Sequence, residues 1–302
     1  MKVTTEQIKL LPNESFRTIR WSDNVRDVEA IDTEGTIHPF KGTGDAWHAH
    51  SEMELVLITR GSGTRFLGDS ITAFKAIDLV LVGSNLPHHW QGASFSGYAV
   101  QFNFGHEHPF WKLKETNELR TLWDNAQRGI QFTGKLATEV ADLIQSIPQH
   151  GGIGRFGLFM LILEKFQKAP QNTLKLLSRK SFPAAHSSFS YKGIQKAISL
   201  LLNNFQEELA FGKIVRESGM SKATFERQFK KHTGKTFTEF ITEVRIDHAS
   251  RLLLETDQSI SEIAFSSGFN NLSHFNHKFS ELHDKSPRSF RKQMKKRKTR
   301  KD

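Results

Sequence analysis

The sequence predicts a two-domain α+β protein. An N-terminal β-barrel (jelly roll) with accessory helices after it leads into an all-α domain of two helix-turn-helix units joined by a long helix. Three observations carry this reading. Residues 15–104 hold short β-rich runs cut by turn residues. From about Phe110 the apolar residues change to helical spacing. Near the C-terminus one pattern occurs twice: Ile214-Val-Arg-Glu-Ser-Gly219 followed by Phe225, Phe229 and Phe240, then Ile263-Ala-Phe-Ser-Ser-Gly268 followed by Phe275, Phe279 and Phe290. The offset is 49 residues up to the glycine and 50 after it, so the second copy has one extra residue in its turn.

Taken in order, the expected strands are Glu54–Thr59, Thr64–Leu67, Asp78–Val82 and Ala99–Phe104, punctuated by Gly61, Gly63, Gly68, Gly83 and Asn85. Trp111–Asn125, Lys135–Ile147 and Arg155–Lys168 read as helices that cover the barrel or pair with a second copy. The first domain is thus placed at 1–168, with dimerisation helices at about 110–168. Residues 169–190, with Pro170, Pro183 and several Ser and Ala, read as a linker. The helical domain spans 191–291, and 292–302 reads as a basic disordered tail.

Charge follows the same division. Of the 302 residues, those up to 188 carry 20 Lys/Arg against 19 Asp/Glu, whereas 189–302 carry 22 against 13. Nearly all of the net +10 therefore lies on the segment with the doubled motif, as a polyanion-binding module requires. The absence of cysteine excludes disulfides and thiolate metal ligands. The N-terminus has no apolar signal core, and the greasiest run, Leu158–Leu163, is far short of the ~20 residues that span a bilayer. A cytoplasmic protein with no membrane partner is expected.

In each copy the second helix has an apolar face and a polar one. Ser221 suits an N-cap and Lys222 opens the helix. Phe225, Phe229 and His232 fall inward, while Ala223, Glu226, Arg227 and Lys230 fall outward. In the second copy Phe275, Phe279 and Leu282 fall inward, and Ser273, Asn276, His277 and Ser280 outward. Arg pairs with guanine, Lys with phosphate and Asn with adenine, so both outward faces suit a major groove. Thr236 is the expected cap of a helix running to about Glu255, with Phe237, Phe240, Ile241, Val244, Ala249, Leu252 and Leu253 on its buried stripe. At ~1.5 Å per residue that helix is about 27 Å long, enough to set two recognition helices into successive grooves ~34 Å apart.

The stretch Arg245-Ile-Asp-His-Ala249-Ser-Arg-Leu252-Leu253, with Ile260-Ser-Glu-Ile-Ala264, Gly268-Phe269, Phe275, Phe279, Ser286-Pro287 and Phe290-Arg291, resembles the signature of the AraC/XylS transcription regulators. The resemblance covers about 100 residues at many fixed spacings. It implies promoter-DNA binding through both units, with contacts on Ala223, Glu226, Arg227 and Lys230, and on Leu272, Ser273, Asn276 and His277. Ser221, Lys222 and Asn271, where the two helices begin, complete the candidate set. Two positions depart from the family pattern. Asp284 stands where a helix-ending glycine is usual, and Val215 where the second copy has Ala264. Asp tolerates positive φ better than most residues, so a local adjustment is expected there.

In the N-terminal half, His48-Ala-His50-Ser-Glu-Met-Glu54 followed six residues later by Gly61 resembles the first motif of cupin barrels, and Asp78–His88 a degraded second motif. Ile77, Gly83 and Asn85 replace its usual glycine, proline and second glycine. Alternate strand residues share a face, so His48 and His50 can point together into a barrel. With Glu54 and His88 they form a set suited to Zn, Fe, Mn or Ni. Three readings of the cluster stay open: polar lining of a ligand pocket, a metal site, or structural hydrogen bonding. Trp47, Arg65 and Trp90 complete the candidate pocket, since indole faces stack on sugar C–H surfaces and Arg binds hydroxyls or carboxylates.

The expected function is a sequence-specific DNA-binding transcription regulator, an effector-responsive activator of carbohydrate-utilisation genes, with no catalytic residues and no committed cofactor. Its expected partners are promoter double-stranded DNA, a sugar or sugar-derived effector, RNA polymerase and a second copy of the chain. The competing readings are a metal-dependent cupin enzyme with an appended DNA-binding domain, and a DNA-binding regulator whose barrel takes no ligand. The first copy, richer in charge, is expected to dominate affinity for DNA.

Overall fold

The computed structural model describes residues 14–42, 44, 46–105, 107–182, 189–207 and 211–298. The chain divides into two compact units with the change at Ser188 and Phe189.

The first unit is built on an antiparallel sheet of β1 (Phe16–Trp21), β2 (Asp27–Ile31), β3 (Ile37–Lys41), β4 (Met53–Leu67), β5 (Ser70–Lys75), β6 (Asp78–Val82), β7 (His88–Gln91), β8 (Phe95–Phe102), β9 (Ile130–Phe132) and β10 (Leu174–Leu176). The order is β10-β9-β6-β4-β8-β1-β2-β3, with β5 and β7 both pairing β4. The runs expected at Glu54–Thr59 and Thr64–Leu67 are one 15-residue strand. Gly61, with φ of 95°, lies in its middle, and a Cβ there would come 2.4 Å from the Ser94 carbonyl oxygen. Asp78–Val82 forms as expected, and the strand expected at Ala99–Phe104 starts earlier and stops at Phe102.

The sheet is buried on both faces, which explains why β4 and β6 read as near-continuous apolar runs. One face carries Met53, Leu55, Leu57, Leu79, Leu81, Val100 and Phe102. It is covered by α1 (Arg120–Ala126), α2 (Gly134–Ser146) and α3 (Gly152–Gln167) through Val140, Ile144, Phe159, Ile162 and Phe166. The other face gathers Ile19, Trp21, Val28, Val56, Ile58, Val80, Trp90, Phe95 and Ala99 around an interior. The segment expected as one helix, Trp111–Asn125, is instead two short 3-10 turns, Pro109–Lys112 and Lys114–Leu119, leading into α1. The expected linker also begins too early: Leu174–Leu176 adds β10 to the sheet, and Leu177 and Phe182 are buried. Of that linker, residues 183–188 lie outside the described residues.

The second unit holds α4 (Phe189–Asn204), α5 (Phe211–Glu217), α6 (Lys222–Thr233), α7 (Phe237–Glu255), α8 (Ile260–Ser266), α9 (Leu272–His283) and α10 (Pro287–Lys298). The expected disordered tail differs, because α10 carries the helix on to Lys298; residues 299–302 lie outside the described residues. Thr236 caps α7 in a full capping box with Glu239, and Ser259 with Glu262 does the same for α8. Four residues separate α5 from α6 and five separate α8 from α9, so the extra residue is in the second turn. Gly219 and Gly268 make these turns at φ of 71° and 88°.

No helix among the described residues is long and apolar enough to cross a membrane.

Candidate recognition helices and ligand pocket

Phe225 and Phe229 are fully buried under α6, in ring contact with each other and with Phe237 of α7. Phe275 and Phe279 hold α9 in the same way, against Phe269 and Phe290. These anchors fix the rotation of each helix, so the opposite face must look outward. On α6, Ser221, Lys222, Ala223, Glu226, Arg227 and Lys230 are all exposed. On α9, Asn271, Leu272, Ser273 and His277 are exposed and Asn276 is half-buried. The structure thus brings every candidate DNA-contacting residue to one of the two outward faces.

The helix starts are set by side chains. Ser221 accepts from the Thr224 amide and Asn271 from the His274 amide. Asn271 is thereby both a cap and a member of the candidate set. Both helices end in left-handed residues, Gly234 at φ of 77° and Asp284 at φ of 54°. The adjustment expected at Asp284 is therefore that Asp itself takes the glycine conformation.

One inward assignment is corrected. Leu282 is 43% exposed. On the last turn of α9 the side facing α7 and α10 carries His283, whose ring lies 4.5 Å from Phe279 and 4.9 Å from Phe290. His283 Nε2 is 2.8 Å from Ser250 Oγ. Sequence reasoning also missed a paired device. Arg245 donates to the carbonyls of Phe205 and Glu207 ahead of the first unit, and Arg291 to those of Leu253 and Gln258 ahead of the second. Both arginines stood in the motif, but only the fold shows what they bind.

In the first unit a cavity of about 60 Å³ opens on the interior face of the sheet. Trp21, Val28, Phe40, Val56, Trp90 and Phe95 form apolar walls, while His48, Glu54, His88 and Gln101 supply polar groups. Of the candidate pocket residues, His48, Glu54, His88 and Trp90 therefore line it. His50 joins the cluster without lining the cavity: it, His48, Glu54 and His88 place ligand atoms within 4.8 Å of one another, all buried. Trp47 is buried and lines nothing. Arg65 is the clear correction. It donates from Nη1 to both carboxylate oxygens of Asp78, at 2.5 and 2.6 Å, and is buried away from the cavity. A buried guanidinium needs a carboxylate partner, and Asp78 lies on the neighbouring stretch of sheet. Trp21 and Gln101 were missed, since nothing in their local sequence marks them; Gln101 is placed by register directly opposite Glu54.

Electrostatics in the cluster are strong. Burial pushes the His48 pKa well below the usual histidine value, and the neighbouring His88 and His50 push it the same way. Burial alone would raise Glu54, but hydrogen bonds and charge from His50 and His88 outweigh it and hold the carboxyl well below the usual range. The cluster thus contains a neutral imidazole beside a carboxylate. The donor set, three imidazoles and one carboxylate without sulfur, fits a divalent transition metal.

Residues 214–293 match a family model described as a helix-turn-helix domain. The chain is 25% identical over 254 residues to the HTH-type transcriptional activator RhaS of Pectobacterium carotovorum, covering 82% of this chain and 87% of that protein. It is 23% identical over 267 residues to the HTH-type transcriptional activator RhaR of Salmonella dublin, covering 82% and 86%. Over 169 residues it is 31% identical to RhaS of Klebsiella pneumoniae, covering 56% of each.

Proposed function

The chain carries the DNA-binding domain of the AraC/XylS regulators, and from that premise we propose that it is a sequence-specific, promoter-binding transcription activator whose N-terminal domain answers to a small effector. The observation that carries the reading is the pair of capped helices, α6 and α9, each anchored by two buried phenylalanines with its candidate contacts turned outward. Their spacer, α7, has 19 residues, about 28 Å at 1.5 Å per residue, which suits adjacent turns of the major groove. Relatives along most of the chain are named as transcriptional activators, which supports a regulator acting on DNA in the cytoplasm rather than an enzyme.

The two helices divide the work. α6 presents Glu226, Arg227 and Lys230, and α9 presents mostly uncharged Ser273, Asn276 and His277, so α6 supplies more of the affinity. The effector is a sugar or sugar derivative, which the aromatic walls at Trp21, Trp90 and Phe40 support. RNA polymerase and a second copy of the chain are the further partners. The outer side of α3 supports the latter, with Ile153 at 85% and Leu161 at 38% exposure.

Arg227→Ala tests the reading. It should weaken binding to the cognate promoter by roughly 1–3 kcal/mol and relax base preference at one position. Titrations of promoter and random duplexes at fixed salt measure this; an equal loss on both would show that Arg227 touches only phosphate.

A further inference from the structure

The histidine cluster at the cavity has an unusual balance of donors and acceptors. Each imidazole is fixed through Nδ1 by a main-chain carbonyl: His48 by Ala46 at 2.7 Å, His50 by Glu52 at 3.0 Å, and His88 by Leu86 at 2.8 Å. A carbonyl oxygen only accepts, so each Nδ1 bears the hydrogen, and Nε2 of the neutral ring presents a lone pair. These Nε2 atoms converge on an anion. His88 Nε2 is 3.1 Å and His50 Nε2 3.7 Å from Glu54 Oε2. The other carboxylate oxygen, Oε1, is held by the Gln101 amide at 2.7 Å.

Three lone pairs and a carboxylate facing one buried point repel one another unless a cation lies between them. No Lys or Arg is among the described residues lining this cavity, and the nearby Arg65 is committed to Asp78. Separations of 3.1 and 3.7 Å bracket the ~3.4 Å edge of a tetrahedron with bonds of about 2.0–2.1 Å. Carbonyls fixing each ligating imidazole and an amide fixing the carboxylate are the outer supports that orient metal ligands.

We propose that His48, His50, Glu54 and His88 bind a divalent transition-metal ion at the floor of this cavity, and that the ion receives the oxygen atoms of an acidic sugar effector. The second half rests on the effector-responsive reading above. Cavity size favours it: about 60 Å³ is well below the ~150 Å³ that admits a benzene ring, so a whole pyranose does not enter. A carboxylate with its adjacent hydroxyl fits beside an ion, leaving the rest of the molecule against the Trp21 and Trp90 side of the cavity. An anion also finds there the positive charge that no lining side chain supplies.

The test uses full-length protein stripped with EDTA and titrated with Co²⁺. Expected are one equivalent bound per chain, visible d–d absorption and a raised Tm. His88→Ala and the near-isosteric Glu54→Gln should each lower Co²⁺ affinity by about ten-fold or more, while Arg227→Ala in the other unit leaves it unchanged. Gluconate, the acidic probe, should then shift the d–d bands and raise the Tm of the loaded protein only. Wild-type protein that takes up no Co²⁺, or uptake that both cluster variants leave intact, overturns the metal site without needing any variant to fold. Gluconate that stabilises stripped and loaded protein equally, or leaves the Co²⁺ spectrum unchanged, overturns the ion as the effector's seat. Promoter binding and its response to other sugars are measured separately, so the proposed function stands or falls on its own.

Discussion

Single residues show where local chemistry was readable and where it was not. Asp284 stood out as the wrong residue at a helix end, and it adopts φ of 54°. Asn85, in place of a motif glycine, does the same at φ of 62°. Both belong to the residue types that tolerate the left-handed region, so a glycine position persists without the glycine. Its cost is measurable. Asp284→Val, which puts a β-branched side chain there, should lower stability by about 1–2 kcal/mol, whereas Asp284→Gly should be neutral or slightly stabilising. Chemical denaturation followed by the helical signal checks this, and a Val variant as stable as the parent would show that the cap carries no strain. Arg65 marks the opposite case. Its charge suggested a ligand contact, but burial beside Asp78 gives it a structural partner, and no local pattern announces a partner 13 residues away.

Helices of the second unit were legible because their boundaries are written in short range. Thr236 and Glu239 form both halves of a capping box, with Thr236 N donating to Glu239 Oε2 at 2.7 Å and Glu239 N to Thr236 Oγ1 at 3.3 Å. Thr236→Ala removes one half and should lower stability by about 1 kcal/mol. Because α7 joins the two recognition helices, the same variant should weaken promoter binding more than binding to a single half-site; equal losses would mean that the spacer tolerates fraying. Elements that depend on distant pairing were harder to read. Leu174–Leu176 looked like linker because three residues carry no period, yet pairing with Ile130–Phe132 makes them a strand. The basic run after Phe290 looked disordered from its charge, while α10 extends through it to Lys298. The charges fall on a helix begun by Pro287 and anchored by Phe290 against Phe279.

At the scale of the whole chain the two units should answer differently to acid. Burial, with a smaller push from Lys231, lowers the His232 pKa to about 4. Burial, with Arg251, does the same to His248. A neutral histidine favoured by the fold costs nothing above the unfolded value near 6.5. Below it the unfolded chain takes up protons that the native state refuses, so stability falls steadily from about pH 6.5 towards pH 4, by up to roughly 3 kcal/mol per histidine. The five tryptophans all lie at or before Trp123, so their fluorescence follows the first unit while the helical signal is dominated by the second. The helical transition should therefore lose Tm between pH 7 and 5, and His248→Asn should flatten that slope; a slope unchanged by the substitution would place the proton uptake elsewhere. By itself the sequence determined the two-domain plan, the DNA-facing residues and the four members of the histidine cluster. Each rests on spacing within one or two elements, where helical or strand periodicity translates directly into a shared face. Only the tertiary structure decided that Arg65 belongs to Asp78, that Trp21 and Gln101 line the cavity, and that three Nε2 lone pairs meet one carboxylate. Those facts depend on strand register and on which main-chain carbonyl fixes each ring, and both are set by contacts between residues far apart in the chain.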